Sequence, residues 1–140
     1  MAIDFVRTDD RFIHGQVTTG WLRKAGTNKI ILVNDSISGN KLIQKLQKLS
    51  AGPDVEVYFY TLKKAREAIK SGDFLKGKST FLLVGNPIDL LKLIKAGLNI
   101  KEVNLGNLRF EPGKKKLTNW IFVNDDELMA LKELAHLGIK

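Results

Sequence analysis

Arg7-Thr8-Asp9-Asp10-Arg11-Phe12-Ile13-His14-Gly15-Gln16 gathers two arginines, two carboxylates and one of the chain's two histidines beside a glycine. A neutral imidazole is a nucleophile near pH 7, and a guanidinium fork matches paired phosphoryl oxygens better than an ammonium group does. The residue types therefore point to His14 as a phosphoryl acceptor with Arg7 and Arg11 as cations beside it. Carboxylates repel phosphate. At least one of Asp9 and Asp10 must then orient an arginine, cap the following helix or fix the tautomer of His14. The arginines can equally serve as structural ion pairs with these carboxylates, and the two readings coexist. Gln16 offers either an amide donor to a phosphoryl oxygen or a helix cap.

Such a cluster needs elements to hold it. The apolar run Ile3 to Val6 reads as a strand and Gln16 to Lys24 as a helix, so the cluster is a strand-to-helix turn. In an open α/β sheet that turn lies at the carboxyl end of a strand, where ligands bind and helix N–H groups can hold an anion. The alternation continues with strands at Lys29 to Asn34, Val55 to Tyr60, Thr80 to Val84, Glu102 to Leu105 and Trp120 to Val123. Helices are expected at Gly39 to Leu49, with Leu42, Ile43, Leu46 and Leu49 on one face, and from Thr61 as cap to about Lys70. Two more run from Asn86 as cap, with Pro87 first, to Ala96, and from Asn124 as cap through Asp125 to Leu137, stopped by Gly138. The stretch Gly106 to Thr118 reads as a loop or hairpin. Repeated βα units predict an open, mostly parallel twisted sheet with helices on both faces.

The chain of 140 residues is expected to be a single domain, 1–140, with a real core. No apolar run approaches the about 20 residues of a membrane span, and Asp4 and Arg7 break up the amino-terminal apolar stretch, so no signal peptide is expected. The absence of cysteine excludes disulfide and thiolate chemistry and is compatible with the cytoplasm. A net charge of +8 raises nucleic-acid binding. The excess, however, is lysine scattered over helices at Lys41, Lys45, Lys48, Lys63, Lys64, Lys70, Lys92 and Lys95, without interleaved aromatic platforms.

Other motifs carry less. Gly72 to Ser79 matches the phosphate-loop pattern letter for letter, but that loop needs a strand before and a helix after, and here the order is reversed. No serine elbow accompanies His14. His136 falls in the last turn of the final helix, where an imidazole complements the dipole, and its distance from His14 gives no metal-ligand spacing. No cofactor or metal is expected. Asn86-Pro87 and Gly106-Asn107 follow strands and so fall on the same rim as His14, as ordinary turns or as donors.

Arg7 to Val17, followed by Trp21, resembles the active-site signature of the IIB component of the mannose/fructose/sorbose family of the bacterial phosphoenolpyruvate-dependent sugar phosphotransferase system, which usually reads R-I-D-D-R-L-I-H-G-Q-V. The similarity extends to Val33 to Asp35, to Asn86-Pro87 with Asp89, to Val103 to Leu108, and to Val123 with the helix up to Gly138. Thr8 and Phe12 replace commoner aliphatics, Asn107 replaces a glycine, and the family pattern continues with a further strand past the position of Lys140. The resemblance implies a cytoplasmic phosphoryl carrier in which His14 becomes a phosphohistidine through Nδ1. A IIA component would donate the group, and it would pass to a sugar entering through membrane components IIC and IID, with which the carrier associates peripherally. Arg11 carries over as the main phosphate-binding residue, and Arg7, Asp10 and Gln16 match the motif as phosphoryl-binding or orienting residues. No nucleic acid is implied, and self-association is left open. Two other classes stand beside this reading: a regulatory domain that holds a phosphorylated ligand at the Arg/His turn without transfer, and a basic nucleic-acid-binding domain.

Overall fold

The computed structural model describes residues 3–14, 29–72 and 80–139. Strands β1 (Ile3–Thr8), β2 (Lys29–Val33), β3 (Glu56–Tyr60), β4 (Thr80–Val84) and β5 (Asn104–Leu105) form one sheet in the order β3-β2-β4-β1-β5, parallel at each junction. Ile30 to Val33 and Phe81 to Val84 are buried on both faces, which is why these strands read as unbroken apolar runs.

Helices cover both faces. Val6, Ile31, Val33, Leu82 and Val84 pack with Ala65, Leu90, Leu93 and Leu134 from α3 (Leu62–Ser71), α4 (Pro87–Lys95) and α5 (Asp125–His136). The alternate side chains Ile30, Leu32, Phe81 and Leu83 face the other way, onto Ile37 of α1 (Asp35–Ser38), Ile43 and Ala51 of α2 (Lys41–Ala51), and Phe12 and Ile13 of the site turn. The open parallel α/β architecture expected from the βα rhythm is the one observed. Thr61, Asn86 and Asn124 are N-caps as their positions suggested; Asn124 and Glu127 complete a reciprocal capping box.

Three local expectations change. The helix expected at Gly39 to Leu49 is α2, shifted by two residues at each end, and the short α1, which was not expected, precedes it; Asn34 caps α1 and Asn40 caps α2, each by accepting a backbone N–H three residues on. Of the four apolar residues expected on one face, only Ile43 packs inward; Leu42, Leu46 and Leu49 are exposed, and Gln44 and Gln47 occupy the inner face through hydrogen bonds. The run Trp120 to Val123 does not join the main sheet. Phe122–Val123 (β7) pairs antiparallel with Lys115–Lys116 (β6), and Leu108, Ile121 and Val123 form a small separate core under α5. The expected helix Gln16 to Lys24 lies outside the described residues, as do residues 73–79 of the phosphate-loop match. Gly72, the first residue of that match, ends α3 with φ +83, and a helix precedes and a strand follows the segment. No helix among the described residues is long and apolar enough to cross a membrane.

Candidate functional site

β1 lies between β4 and β5, so its carboxyl end opens inside the sheet rim, one strand in from the edge. Asp9 extends the ladder by one bond, its N–H donating to Val84 O at 2.9 Å, and the chain then turns sharply. Phe12 sits at φ +59, a conformation uncommon for a bulky side chain, with its N–H on Asp9 O at 3.1 Å. Its ring lies over Gly85. A Cβ on Gly85 would come within 2.8 Å of the ring, so the tip of β4 must be bare to seat the turn.

Asp9 is the hub. Its side chain is fully buried, and Oδ2 accepts from Arg7 Nε at 3.3 Å and Nη2 at 3.1 Å and lies 2.7 Å from His14 Nε2. Oδ1 accepts the Arg11 N–H at 3.0 Å. A carboxylate accepts only, so Nε2 of neutral His14 carries the proton and Nδ1 carries the lone pair. Arg7 is buried as well, and its Nη1 donates to Asn104 Oδ1 on β5. Gly106 passes so close to this pair that a Cβ there would stand 2.8 Å from Arg7 Cζ and 2.5 Å from Thr8 O.

Asp10 faces the other way and stitches the turn to the segment after β5. Oδ1 accepts the Asn107 amide at 2.7 Å, and Oδ2 accepts the Arg109 N–H at 2.8 Å and Nε at 3.0 Å. Burial opposes its ionisation, but these donors outweigh burial and hold its carboxyl below the ordinary value of 3.8. Asn107, where the family pattern has a glycine, thus contributes a bond of its own.

Gln47 reaches from α2 to accept the Ile13 N–H at 2.7 Å, immediately before the imidazole. His14 is partly exposed. Arg11 is exposed, and its guanidinium makes no hydrogen bond or ion pair among the described residues. The two arginines therefore divide: Arg7 is committed to Asp9 and Asn104, and Arg11 faces solvent with its charge available to an anion. The turn brings His14, Arg11, Arg7 and Asp10 to one rim, while Gln16 lies outside the described residues. His136 is exposed in the last turn of α5. No role for Asn104, Arg109 or Gln47 is legible in the sequence, since each acts on a distant segment; Asn104 stands out there only within the run Val103 to Leu108.

Farther along the rim, Asp89 in the first turn of α4 is held above the ordinary carboxylate value. Burial is the main cause and nearby Asp35 adds to it, against Lys92 and Asn86. The rim is thus cationic at Arg11, after β1, and carries Asp89 after the neighbouring strand β4.

The chain and its fold have counterparts among known proteins. The family model described as the sorbose subfamily IIB component of the phosphotransferase system matches residues 3–140. The sorbose-specific EIIB component of Klebsiella pneumoniae is 35% identical over 140 residues, covering 100% of this chain and 85% of its own length. The fructose-specific EIIB component of Bacillus subtilis is 34% identical with the same coverage. The mannose-specific EIIAB component of Escherichia coli is 31% identical, the chain spanning 43% of that longer protein. Among solved structures, the IIBSor domain of the sorbose permease from Klebsiella pneumoniae superposes with a TM-score of 0.90 at 34% identity, covering 100% of this chain and 85% of that one. The buried Asp9 beneath a partly exposed His14 is therefore set in the fold of a known class of phosphotransferase component, and the chain belongs to the sorbose subfamily of phosphotransferase-system IIB components.

Proposed function

We propose that His14 is the residue through which this chain carries its phosphoryl group. As a IIB component the chain is a phosphoryl carrier of a sugar phosphotransferase system. The observation that carries the assignment to His14 is its Nε2 lying 2.7 Å from the buried Asp9 carboxylate, which leaves the lone pair on Nδ1.

In the first half-reaction Nδ1 attacks the phosphorus of an incoming phosphohistidine. The new N–P bond forms as the donor's N–P bond breaks, and the donor imidazole leaves with the old bonding pair. Asp9 holds the Nε2 proton throughout and stabilises the charge that the ring acquires. Arg11 faces the three equatorial oxygens, where negative charge is spread in the transfer. In the second half-reaction a sugar hydroxyl attacks the phosphorus, its proton leaves to a base, and the bonding pair returns to Nδ1. Arg7 acts at one remove by fixing Asp9, and Asp10 fixes the turn against Asn107 and Arg109. Gln16 is assigned either to the phosphoryl group or to the helix start.

The donor in this reading is a IIA component, and the acceptor is a sugar entering through IIC and IID, to which the carrier, one domain over residues 1–140, docks from the cytoplasm. The mannose-specific relative, named EIIAB, joins the A and B functions in one name and supports that donor. Incubating the chain with phosphoenolpyruvate and the upstream phosphotransferase proteins should place acid-labile, alkali-stable phosphate on His14. Binding of phosphorylated ligands without any such transfer would refute the reading.

A further inference from the structure

α2 is built inside out. Its sequence, Lys41 to Ala51, alternates leucine with lysine and glutamine, yet the glutamines face the protein and the leucines face away. Gln44 donates to Ile37 O and Ser38 O at 3.0 Å each, and Gln47 accepts from Ile13. Leu42, Leu46 and Leu49 recur at intervals of four and three, so they form one row, and they are 68%, 53% and 70% exposed. Single exposed leucines are ordinary; three in a row on a helix that spends polar side chains inward make a surface.

The charge on this helix has one sign. Lys41, Lys45 and Lys48 form a second row with the same spacing, about 100° around the axis from the leucines. Lys48 stands 5.9 Å over the Phe59 ring, which fixes the lysine row on the side of edge strand β3. α2 contains no carboxylate, and none of its lysines makes an ion pair among the described residues. Beyond the lysines an open cleft of about 550 Å³ lies between the end of α2 and β3, bordered by Lys45, Lys48, Pro53, Glu56 and Tyr58. Glu56 is the one carboxylate on that border.

We propose that this face of α2 rests on an anionic lipid surface, with the leucines entering the headgroup boundary and the lysines flanking them among phosphates. A protein partner would match discrete charges of both signs. Three cations with no ion pair among the described residues, beside a convex apolar row, instead complement a field of uniform negative sign, the pattern of an interfacial helix. Because Gln47 ties the opposite side of α2 to the turn before His14, seating this face leaves the rim open beside the bilayer.

The test is co-sedimentation of the full chain with vesicles of phosphatidylcholine alone or with about one-third phosphatidylglycerol, at low and physiological salt. Binding is expected only to the anionic vesicles. It should fall more than tenfold in the triple variant Leu42→Gln/Leu46→Gln/Leu49→Gln, and about fivefold per lysine replaced in Lys45→Gln/Lys48→Gln. These side chains point outward, so circular dichroism and phosphate acceptance in solution should stay unchanged, which separates this result from the assignment of His14. Absent binding at low salt would overturn the proposal, as would equal binding to neutral vesicles. So would binding indifferent to the leucines, which would mark diffuse attraction of a basic chain. Concentration-dependent self-association abolished by the leucine substitutions would also overturn it, and would assign the face to a second copy.

Discussion

The Oδ2 atom of Asp9 lies 2.7 Å from His14 Nε2, and the same oxygen accepts two N–H groups of Arg7. One buried oxygen therefore sets the tautomer of the nucleophile and neutralises a buried cation. Asp9→Asn keeps the size but removes the charge. With its carbonyl oxygen in the place of Oδ2, the Asn amide still accepts from Arg7 and His14 but without the charge, and its NH2 then meets the Arg11 N–H, which loses its acceptor, so an uncompensated guanidinium stays buried. We expect a loss of about 3–5 kcal/mol in chemical denaturation and a fall in phosphoryl acceptance of more than about tenfold at temperatures where the variant is folded. Nitrogen chemical shifts of His14 should show the Nε2–H population decreasing; an unchanged tautomer would remove Asp9 from this role.

The nucleophile and the solvent-facing arginine make separate predictions. His14→Ala should abolish phosphate acceptance with little change in stability, since His14 is a partly exposed rim residue rather than a core one. Arg11→Lys keeps the charge but loses the fork, so transfer should fall by well over tenfold, more than about 1.4 kcal/mol of transition-state stabilisation. His136→Ala, on the exposed end of α5, should leave both unchanged. Quantifying acid-labile phosphate on the three variants decides these points. Label persisting in His14→Ala would displace the nucleophile, and an unimpaired Arg11→Lys would displace Arg11 alone.

Much of this site could be read in the chain before folding. The pairing of histidine and arginine in one turn after an apolar strand is local, and so is the repulsion argument that sets at least one of Asp9 and Asp10 to an orienting task. Which carboxylate does what was not local. It depends on β1 lying between β4 and β5, which brings Asn104 to Arg7 and Asn107 and Arg109 to Asp10 across some hundred residues. α2 shows the complementary failure. Its periodicity announces an amphipathic helix, but the inward side is chosen by the hydrogen bonds of Gln44 and Gln47, to which hydropathy is blind.

Gln47 follows from that contact. Removing its carbonyl in Gln47→Ala leaves the Ile13 N–H without its partner, a loss of about 1–3 kcal/mol, beside a turn already holding Phe12 at positive φ. Gln47→Glu retains an acceptor at the same reach. Phosphorylation rates measured where both variants are folded should fall in the first and recover in the second; equal rates in both would make Gln47 structural only.

Asp10 gives the turn a pH dependence whose sign is fixed. Its carboxyl is held below 3.8, so the ionised form binds the fold more tightly than the protonated one. The stabilisation is fully present above 3.8 and is lost as pH falls through the depressed value. The difference in stability between the native chain and Asp10→Asn should be constant from neutral pH to about 5 and shrink below 3.8. A difference that grows on acidification would reverse the assignment.

Thr8, the last residue of β1, is fully buried, and its hydroxyl makes no hydrogen bond among the described residues. It sits in register with Val84, one residue before the hub carboxylate. A buried hydroxyl without a partner costs about 1–3 kcal/mol, whereas a methyl of similar size on the same branched scaffold costs nothing to desolvate. Its backbone bond does not depend on the side chain, since Thr8 O accepts the Gly106 N–H either way. Thr8→Val should therefore raise the denaturation midpoint by about 1 kcal/mol or more of stability while leaving phosphate acceptance at His14 unchanged. A destabilised Thr8→Val would mean that the hydroxyl is bonded in the folded protein, and reduced acceptance with stability intact would place that bond in the support of Asp9.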